Sequence, residues 1–169
     1  MSPVRQDFLL RMIEEAFDVI RRIRRRRQEG DPAAAIREAD AAIDALLGPA
    51  AGVATRLDPS TAAQLIRNPE QVALWARILA DKAEALREGG NEPGARLVGR
   101  RALETALEAW LLEDEQRRLT PALREVLDEA LAMARAWAEP AELSERHRAV
   151  LERAPSPRPP PPPAGAQGG

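Results

Sequence analysis

The chain has 169 residues and a formal net charge of −2, with 25 basic and 27 acidic side chains, one His and no Cys. The lack of Cys excludes disulfide frameworks and thiol chemistry, and a single imidazole excludes the usual Cys/His zinc sites. The balanced charge gives no overall attraction to nucleic acid. Apolar runs are shorter than the roughly 18 residues of a membrane span, and Arg5, Asp7 and Arg11 interrupt the apolar core of a secretory signal. We therefore expect a cytoplasmic protein.

Helix starts are marked by prolines that follow capping residues. The side-chain oxygen of such a residue accepts a hydrogen bond from a first-turn N–H, and proline fits the first helical position because no N–H is needed there. Ala, Leu, Arg and Glu dominate, while β-branched and aromatic residues are sparse, which predicts an all-α fold of six to seven helices in antiparallel hairpins. The pairs are Ser2-Pro3, Asp31-Pro32, Asp58-Pro59, Asn68-Pro69 and Thr120-Pro121.

The apolar periodicity sets the predicted helix bounds. The first helix runs from residue 3 to about 28, and its inward stripe, with spacings of mostly three and four, includes Phe8, Phe17 and Ile20. The second runs from residue 32 to 47 and ends at a Gly-Pro breaker. Further helices are predicted over residues 59–67, 69–88, 93–113, 121–138 and 140–153.

Residues 1–153 are predicted to form one helical domain, followed by a disordered Pro-rich tail at 154–169. The tail has no apolar periodicity and combines a run of prolines with glycines, which is typical of polyproline II followed by coil. Two interpretations remain open for it. It is either a ligand for a proline-recognising groove, with Arg158 among the prolines, or a terminal spacer.

Two parts of the chain match at a constant offset of 60 residues. In each, a Gly turn is followed five residues later by a small Ala and, seven residues after that, by another Ala. The pattern resembles the tetratricopeptide repeat, a helix-turn-helix unit whose helices cross closely at small side chains. The matched positions are Gly30 with Gly90, Ala35 with Ala95, Ala42 with Ala102 and Ile43 with Leu103.

The second hairpin follows the tetratricopeptide pattern further, since Leu79, Ala83 and Leu86 stand at its Trp, small and bulky positions. The chain departs from that family at Leu79, which replaces the signature Trp, and at Gly99, where an aromatic side chain is usual. The offset of 60 residues also exceeds the family period of about 34. The segment between the hairpins is therefore an insertion.

The start of the chain resembles a second family, of small bacterial proteins of unknown function. The resemblance is carried by Gln6-Asp7-Phe8 followed by Arg11-Met12-Ile13-Glu14, and it extends over about residues 5–115. It implies a helical architecture and no activity.

Candidate catalytic groups are few. His147 stands in a polar stretch beside two arginines, and we expect it to face solvent on its helix. Glu14 and Asp18 are one turn apart and could hold a hard cation, but nearby arginines favour a solvated charged face instead. No phosphate-binding glycine motif is present. We therefore assign no catalytic residue, metal or cofactor and expect a protein that is not an enzyme.

The densest charge feature is a run of six arginines in seven positions, residues 21–27, at the end of the first predicted helix. One interpretation is structural, because cations at a helix C-terminus interact favourably with its dipole. The others are an anionic protein partner, an acidic membrane surface, and nucleic acid phosphate. A protein partner is favoured, since stacking aromatics are missing nearby. The candidate partner-binding residues here are Arg21, Arg22, Arg24 and Arg25.

The sequence thus predicts a cytoplasmic, non-catalytic helical scaffold that binds another protein. If a groove exists, its exposed basic lining is expected from Arg77, Lys82 and Arg87. The alternative is a peripheral membrane or polyanion binder that acts through the arginine-rich end of the first helix. A strong apolar stripe on that helix is also compatible with a homodimer.

Overall fold

The computed structural model describes residues 3–154, apart from the side chain of Arg5. Within that range the chain forms seven helices of eight residues or more, a one-turn helix and no strand, so the all-α prediction is confirmed. Residues 155–169 of the predicted tail lie outside the described residues. The helices are α1 (Pro3–Gln28), α2 (Pro32–Leu47), the one-turn α3 (Ala51–Ala54), α4 (Pro59–Ile66), α5 (Pro69–Glu88), α6 (Glu92–Gln116), α7 (Pro121–Ala134) and α8 (Glu145–Arg153).

Four of the five predicted capping side chains begin helices in the structure, and the fifth, Ser2, lies outside the described residues. Asp31, Asp58, Asn68 and Thr120 each accept a hydrogen bond from the backbone N–H three residues later, at 2.9–3.3 Å. The proline that follows each of them occupies the first turn. Asn91 and Ser144 cap α6 and α8 in the same way, although no proline directly follows either of them.

The two turns at the offset of 60 residues have the same geometry. Gly30 and Gly90 have φ angles of 74° and 81°, in the left-handed region that Gly adopts without strain. After each, the backbone N–H of Asp31 or Asn91 donates to the carbonyl five residues before it, at 2.9 and 2.8 Å. These are the hydrogen bonds that close a helix C-terminus. The sequence match therefore marks two turns of like construction.

Small side chains line the contacts within and between the hairpins. Ala35 and Ala95 are wholly buried where α1 packs against α2 and α5 against α6. α2 packs in turn against α5, so the two hairpins are in direct contact despite the insertion between them. α5 also contacts α1 and α7, and its residues 72–81 are all buried. A helix buried on all sides is the centre of the fold.

Gly99 explains one departure from the expected pattern. An ideal Cβ at this position on α6 would lie 2.2 Å from Cγ of Trp137, far inside van der Waals contact. The indole of Trp137, in the 3-10 turn that follows α7, thus occupies the space beside the Gly99 backbone. An aromatic side chain is present at this contact, but it comes from a different part of the chain.

The C-terminal part differs from the prediction. α7 ends at Ala134 and continues as a 3-10 turn, and the helix expected over residues 140–153 is divided into a 3-10 turn at Pro140–Glu142 and α8. Ser144 has extended backbone and caps α8, which begins a new helix there. Leu143 and Val150 are buried, so this segment still closes the core.

Candidate partner-binding surface

The N-terminal third of α1 carries exposed apolar side chains. Phe8 is 70% exposed and Val4 is 79% exposed, so the prediction that Phe8 lies on the buried stripe is wrong. α1 is ten residues longer than α2, 26 against 16, which at 1.5 Å per residue is about 15 Å of helix without that neighbour. Ile20 is buried and Phe17 packs partly buried on the core, as predicted.

A trough of about 380 Å³ lies between α1 and α2 and is lined mainly by apolar side chains. Ala41 and Ala45 are exposed along its α2 side. Because alanines are short, the trough reaches down to Ile78 of the central helix. We call this surface the α1–α2 face. It is formed by Met12, Glu15, Val19 and Arg22 of α1 and Glu38, Ala41 and Ala45 of α2, and Arg26 reaches its edge through Glu38. Phe8 adjoins the face through Met12, because both side chains also line a second cavity with Ile66 and Gln71.

Two arginines of the face share one carboxylate. Glu38 accepts hydrogen bonds from Arg22 Nε at 2.9 Å and from Arg26 Nε at 3.3 Å. The hydrogen bond from Arg22, followed by that from Arg26, outweighs partial burial and holds the pKa of Glu38 below its ordinary value. Arg26 also lies 3.4 Å from Glu29, so the two guanidiniums have two carboxylate partners.

The other candidate arginines at this helix end also have carboxylate partners. Arg21 pairs with Asp18, Arg25 with Glu29, and Arg24 with Glu129 of α7. The three arginine side chains are more than half exposed, and ion pairs of exposed groups are worth about 0–1 kcal/mol. The arginines are thus accessible, but their charge is partly compensated within the chain.

Arg27, the last arginine of residues 21–27, forms ion pairs with the central helix α5. Its guanidinium reaches Asp81 of α5 at 3.1 Å, where Asp81 also accepts from Arg77 Nε at 2.9 Å. Nη2 of Arg27 also donates a hydrogen bond to Oε1 of Glu88, at 2.7 Å. The last arginine of the run therefore fixes the end of α1 against the central helix.

Arg77, Lys82 and Arg87 do not form one basic groove, and the expectation that Arg77 is exposed is wrong. Arg77 is 1% exposed and is paired with Asp81 and Glu129. Steps of five residues rotate about 140° around a helix, so the three side chains point in different directions. Lys82 pairs with Asp40 of α2 at 2.5 Å, and Arg87 lies over the Trp137 ring.

His147 is buried, contrary to the prediction of a solvent-facing residue. It is 4% exposed, and its Nε2 lies 2.7 Å from Oε1 of Glu108 on α6. Ser60 donates to the same oxygen at 2.5 Å, and Arg146 donates to Oε2 at 3.0 Å. Because Ser60 bonds to Glu108 and not to the imidazole, this arrangement holds α4, α6 and α8 together and is not that of an activated Ser nucleophile.

Burial opposes the ionisation of Glu108, but its three partners favour it. The hydrogen bonds from His147 and Ser60 and the charge of Arg146 outweigh the desolvation, so the pKa of Glu108 lies below its ordinary value. The charged carboxylate thus binds α8 to the rest of the domain.

Among residues 3–154, no group of three or more His, Cys, Asp and Glu side chains could hold a metal ion. None of the described helices combines the length and the apolar character that a bilayer crossing requires. No family model, no curated protein and no solved structure matches the chain.

The structure therefore brings four sequence-predicted residues, Arg21, Arg22, Arg24 and Arg25, to one end of α1, with Arg22 on the α1–α2 face. The exposed alanines, Glu15 and Glu38 were not singled out from the sequence. The sequence contained one signal for the trough. Ala41 and Ala45 lie one turn apart on α2 and do not belong to the inward apolar stripe of that helix, so they form a second line of small residues.

Proposed function

We propose that this protein is a non-catalytic helical scaffold and that its α1–α2 face binds a protein surface. The observation that carries the proposal is a pair of adjoining cavities that share Met12. One is the apolar trough of about 380 Å³ between α1 and α2, and the other, of about 420 Å³, is lined by the exposed aromatic Phe8. An exposed continuous apolar surface with charged edges is typical of protein-binding sites. A cytoplasmic location belongs to this proposal.

The charge distribution supports a protein surface over a membrane or a polyanion. Binding to phosphates needs arginines whose charge is available, and it gains its affinity from counterion release. Here Arg22 and Arg26 are both paired with Glu38, and Arg25 is paired with Glu29. Arg27 is paired with Asp81 of α5. The same face carries Glu15, which an anionic surface would repel.

Photocrosslinking in living cells tests the proposal. Phe8 is replaced by the photoreactive aromatic p-benzoylphenylalanine, which preserves the aromatic character of the position. The matched control places the same residue at Leu97, which is 74% exposed on α6 and lies outside the face. We expect irradiation to give a discrete crosslinked protein adduct from position 8 and none from position 97.

Two results would overturn the proposal. One is the absence of any adduct from position 8 at an expression level where the protein is readily detected. The other is the same diffuse set of adducts from both positions, which would show random collision. An adduct with lipid or nucleic acid in place of protein would favour the membrane or polyanion alternative.

A further inference from the structure

We infer that the Pro-rich tail of this chain, residues 155–163, binds in a cavity between α6 and α7 that is lined by Trp110. Three observations identify the tail as the occupant: the place where it leaves the domain, its length, and the residues that line the cavity. This surface is separate from the α1–α2 face, so the inference does not depend on the proposed function.

The cavity has a volume of about 210 Å³ and lies between the C-terminal half of α6 and α7. Trp110 and the buried Leu127 form its apolar part, and charged side chains line the rest. Segments in polyproline II conformation bind to grooves lined by aromatic side chains. The charged lining consists of Glu113, Asp114, Arg117, Arg124 and Asp128.

The described part of the chain ends beside this cavity. Arg153, the last residue of α8, places its guanidinium carbon 5.2 Å from the centre of the Trp110 ring and pairs with Asp114 at 3.5 Å. Both partners of Arg153 line the cavity. The tail therefore starts within the reach of one arginine side chain from it.

Ala154 sets the conformation in which the tail begins. It is 6% exposed, and its carbonyl oxygen accepts a hydrogen bond from Arg135 Nη2 at 3.5 Å. Its backbone angles, φ −65° and ψ 142°, are those of polyproline II, which the residue before a proline favours. The chain thus leaves α8 in the conformation that a run of prolines adopts.

The tail is long enough to cross the cavity. A polyproline II helix rises about 3.1 Å per residue, so residues 155–163 extend over about 28 Å. A segment attached this close to its site has an effective concentration in the millimolar range. A weak contact between prolines and Trp110 is therefore sufficient for the tail to occupy the cavity of its own molecule.

The tail carries one charged side chain, Arg158, among its prolines. It stands four residues after the last described residue, which is about 12 Å along a polyproline II helix. Asp114 is 43% exposed, and its distances to Arg153 and Arg117 are long, 3.5 and 3.6 Å. The oxygens of Asp114 can therefore accept a further hydrogen bond from Arg158, while the neighbouring prolines pack against Trp110.

Nuclear magnetic resonance of the full-length chain tests the inference. We expect nuclear Overhauser effects between protons of the Trp110 ring and ring protons of the tail prolines. Trp75 is the internal control, because it is buried on α5 and should show no such contact with the tail. The contacts should be independent of protein concentration, since the tail and the cavity belong to one molecule.

The backbone amide of Arg158 provides a second measurement. We expect its order parameter to exceed about 0.6 in the unaltered chain and to fall below this value in Trp110→Leu, which keeps an apolar residue in the cavity. Trp110→Leu also removes the ring that Arg153 contacts. Arg153→Gln is therefore the matched control, because it loses the same contact and should leave Arg158 ordered.

A variant in the tail avoids any change to the folded domain. Replacement of residues 159–163 by alternating Gly and Ser removes the proline run and leaves residues 3–154 as they are. We expect the indole N–H signal of Trp110 to shift in this variant and that of Trp75 to stay unchanged.

The inference is overturned if the Trp110 ring shows no contact with the tail prolines, or if the order parameter of Arg158 is the same in the unaltered chain and in Trp110→Leu. Contacts that appear only as the protein concentration rises would place the tail in the cavity of a second copy and would also overturn it. Equal loss of order in Arg153→Gln would show that the end of α8, and not the cavity, orders the tail.

Discussion

Arg27, the last residue of the arginine run, donates a hydrogen bond at 3.1 Å to Asp81, which is wholly buried on the central helix. Asp81 uses its second oxygen to accept from Arg77, which is equally buried. One carboxylate therefore joins the end of α1 to α5 and accepts hydrogen bonds from two guanidiniums. The arginine run at residues 21–27 looks like a surface patch in the sequence, but its last residue forms an ion pair in the interior of the fold.

Loss of Asp81 should be costly. Asp81→Ala removes the wholly buried one of the two carboxylates that pair with Arg77, and breaking one partner of a buried ion pair costs about 3–5 kcal/mol. We expect the free energy of unfolding, measured by urea denaturation with circular dichroism, to fall by this amount. Asp18→Ala is the matched control, because its partner Arg21 is exposed, and it should cost less than about 1 kcal/mol. Equal losses in the two variants would contradict the internal role of Asp81.

A methyl group at position 99 should strain the contact between α6 and the Trp137 indole. Gly99→Ala places a Cβ about 2.2 Å from a ring atom, and overpacking of this kind costs about 1–3 kcal/mol. Gly52→Ala, where no atom lies within 4 Å of the new Cβ, should leave stability unchanged or raise it slightly. Combined with Trp137→Ala, the Gly99→Ala loss should shrink, which a double-mutant cycle measures. An additive cycle would show that the two residues are not coupled.

Glu108 should make the domain less stable in acid. Its folded pKa lies below the ordinary value, so its contribution is fully present above the unfolded pKa of about 4.3 and is lost as the pH falls through the folded pKa. We expect the free energy of unfolding, measured at a series of pH values, to decline below that point in the unaltered chain. Glu108→Gln should be less stable at neutral pH and should show a shallower decline in acid. An unchanged slope would contradict this assignment.

His147 should determine whether α8 stays docked. It is the buried member of α8 that bonds to Glu108 of α6, while the other polar links between these helices come from the exposed Arg146 and Arg153. In His147→Ala we expect backbone amides of α8 to exchange with deuterium faster by about tenfold or more, while those of α5 keep their protection. Glu152→Ala, an exposed change on the same helix, is the control and should leave exchange unaltered. Equal protection of α8 in both variants would show that other contacts hold it.

Features set by local chemistry could be predicted from the sequence. The prolines after Asp31, Asp58, Asn68 and Thr120 locate four helix starts because capping involves only neighbouring residues. The glycine turns of both hairpins follow from the same kind of argument, since a positive φ favours Gly. The sequence match between Gly30 and Gly90 therefore identifies both turns.

Features that depend on distant partners could not be predicted. His147 is buried because Glu108, 39 residues earlier, supplies a matching carboxylate, and Arg77 is buried because Glu129 lies on α7. Neither pairing can be detected from the spacing of apolar residues along one helix. Phe8 has the spacing of a core residue, but the neighbouring helix α2 is ten residues shorter than α1. Phe8 is exposed because α2 does not extend beside it. The spacing of apolar residues on α1 alone does not show where the neighbouring helix ends.

Hydroxyl-radical footprinting tests the central claim, that the α1–α2 face binds another protein, most directly. Met12 lines the trough and Met133 of α7 does not, while both side chains are partly buried, so their oxidation rates can be compared within one sample. We predict that the ratio of Met12 to Met133 oxidation is several-fold lower in cells than in the purified chain, and that Ala45→Arg, which fills the trough, removes this difference. A ratio that is the same in cells and in the purified chain would contradict the account.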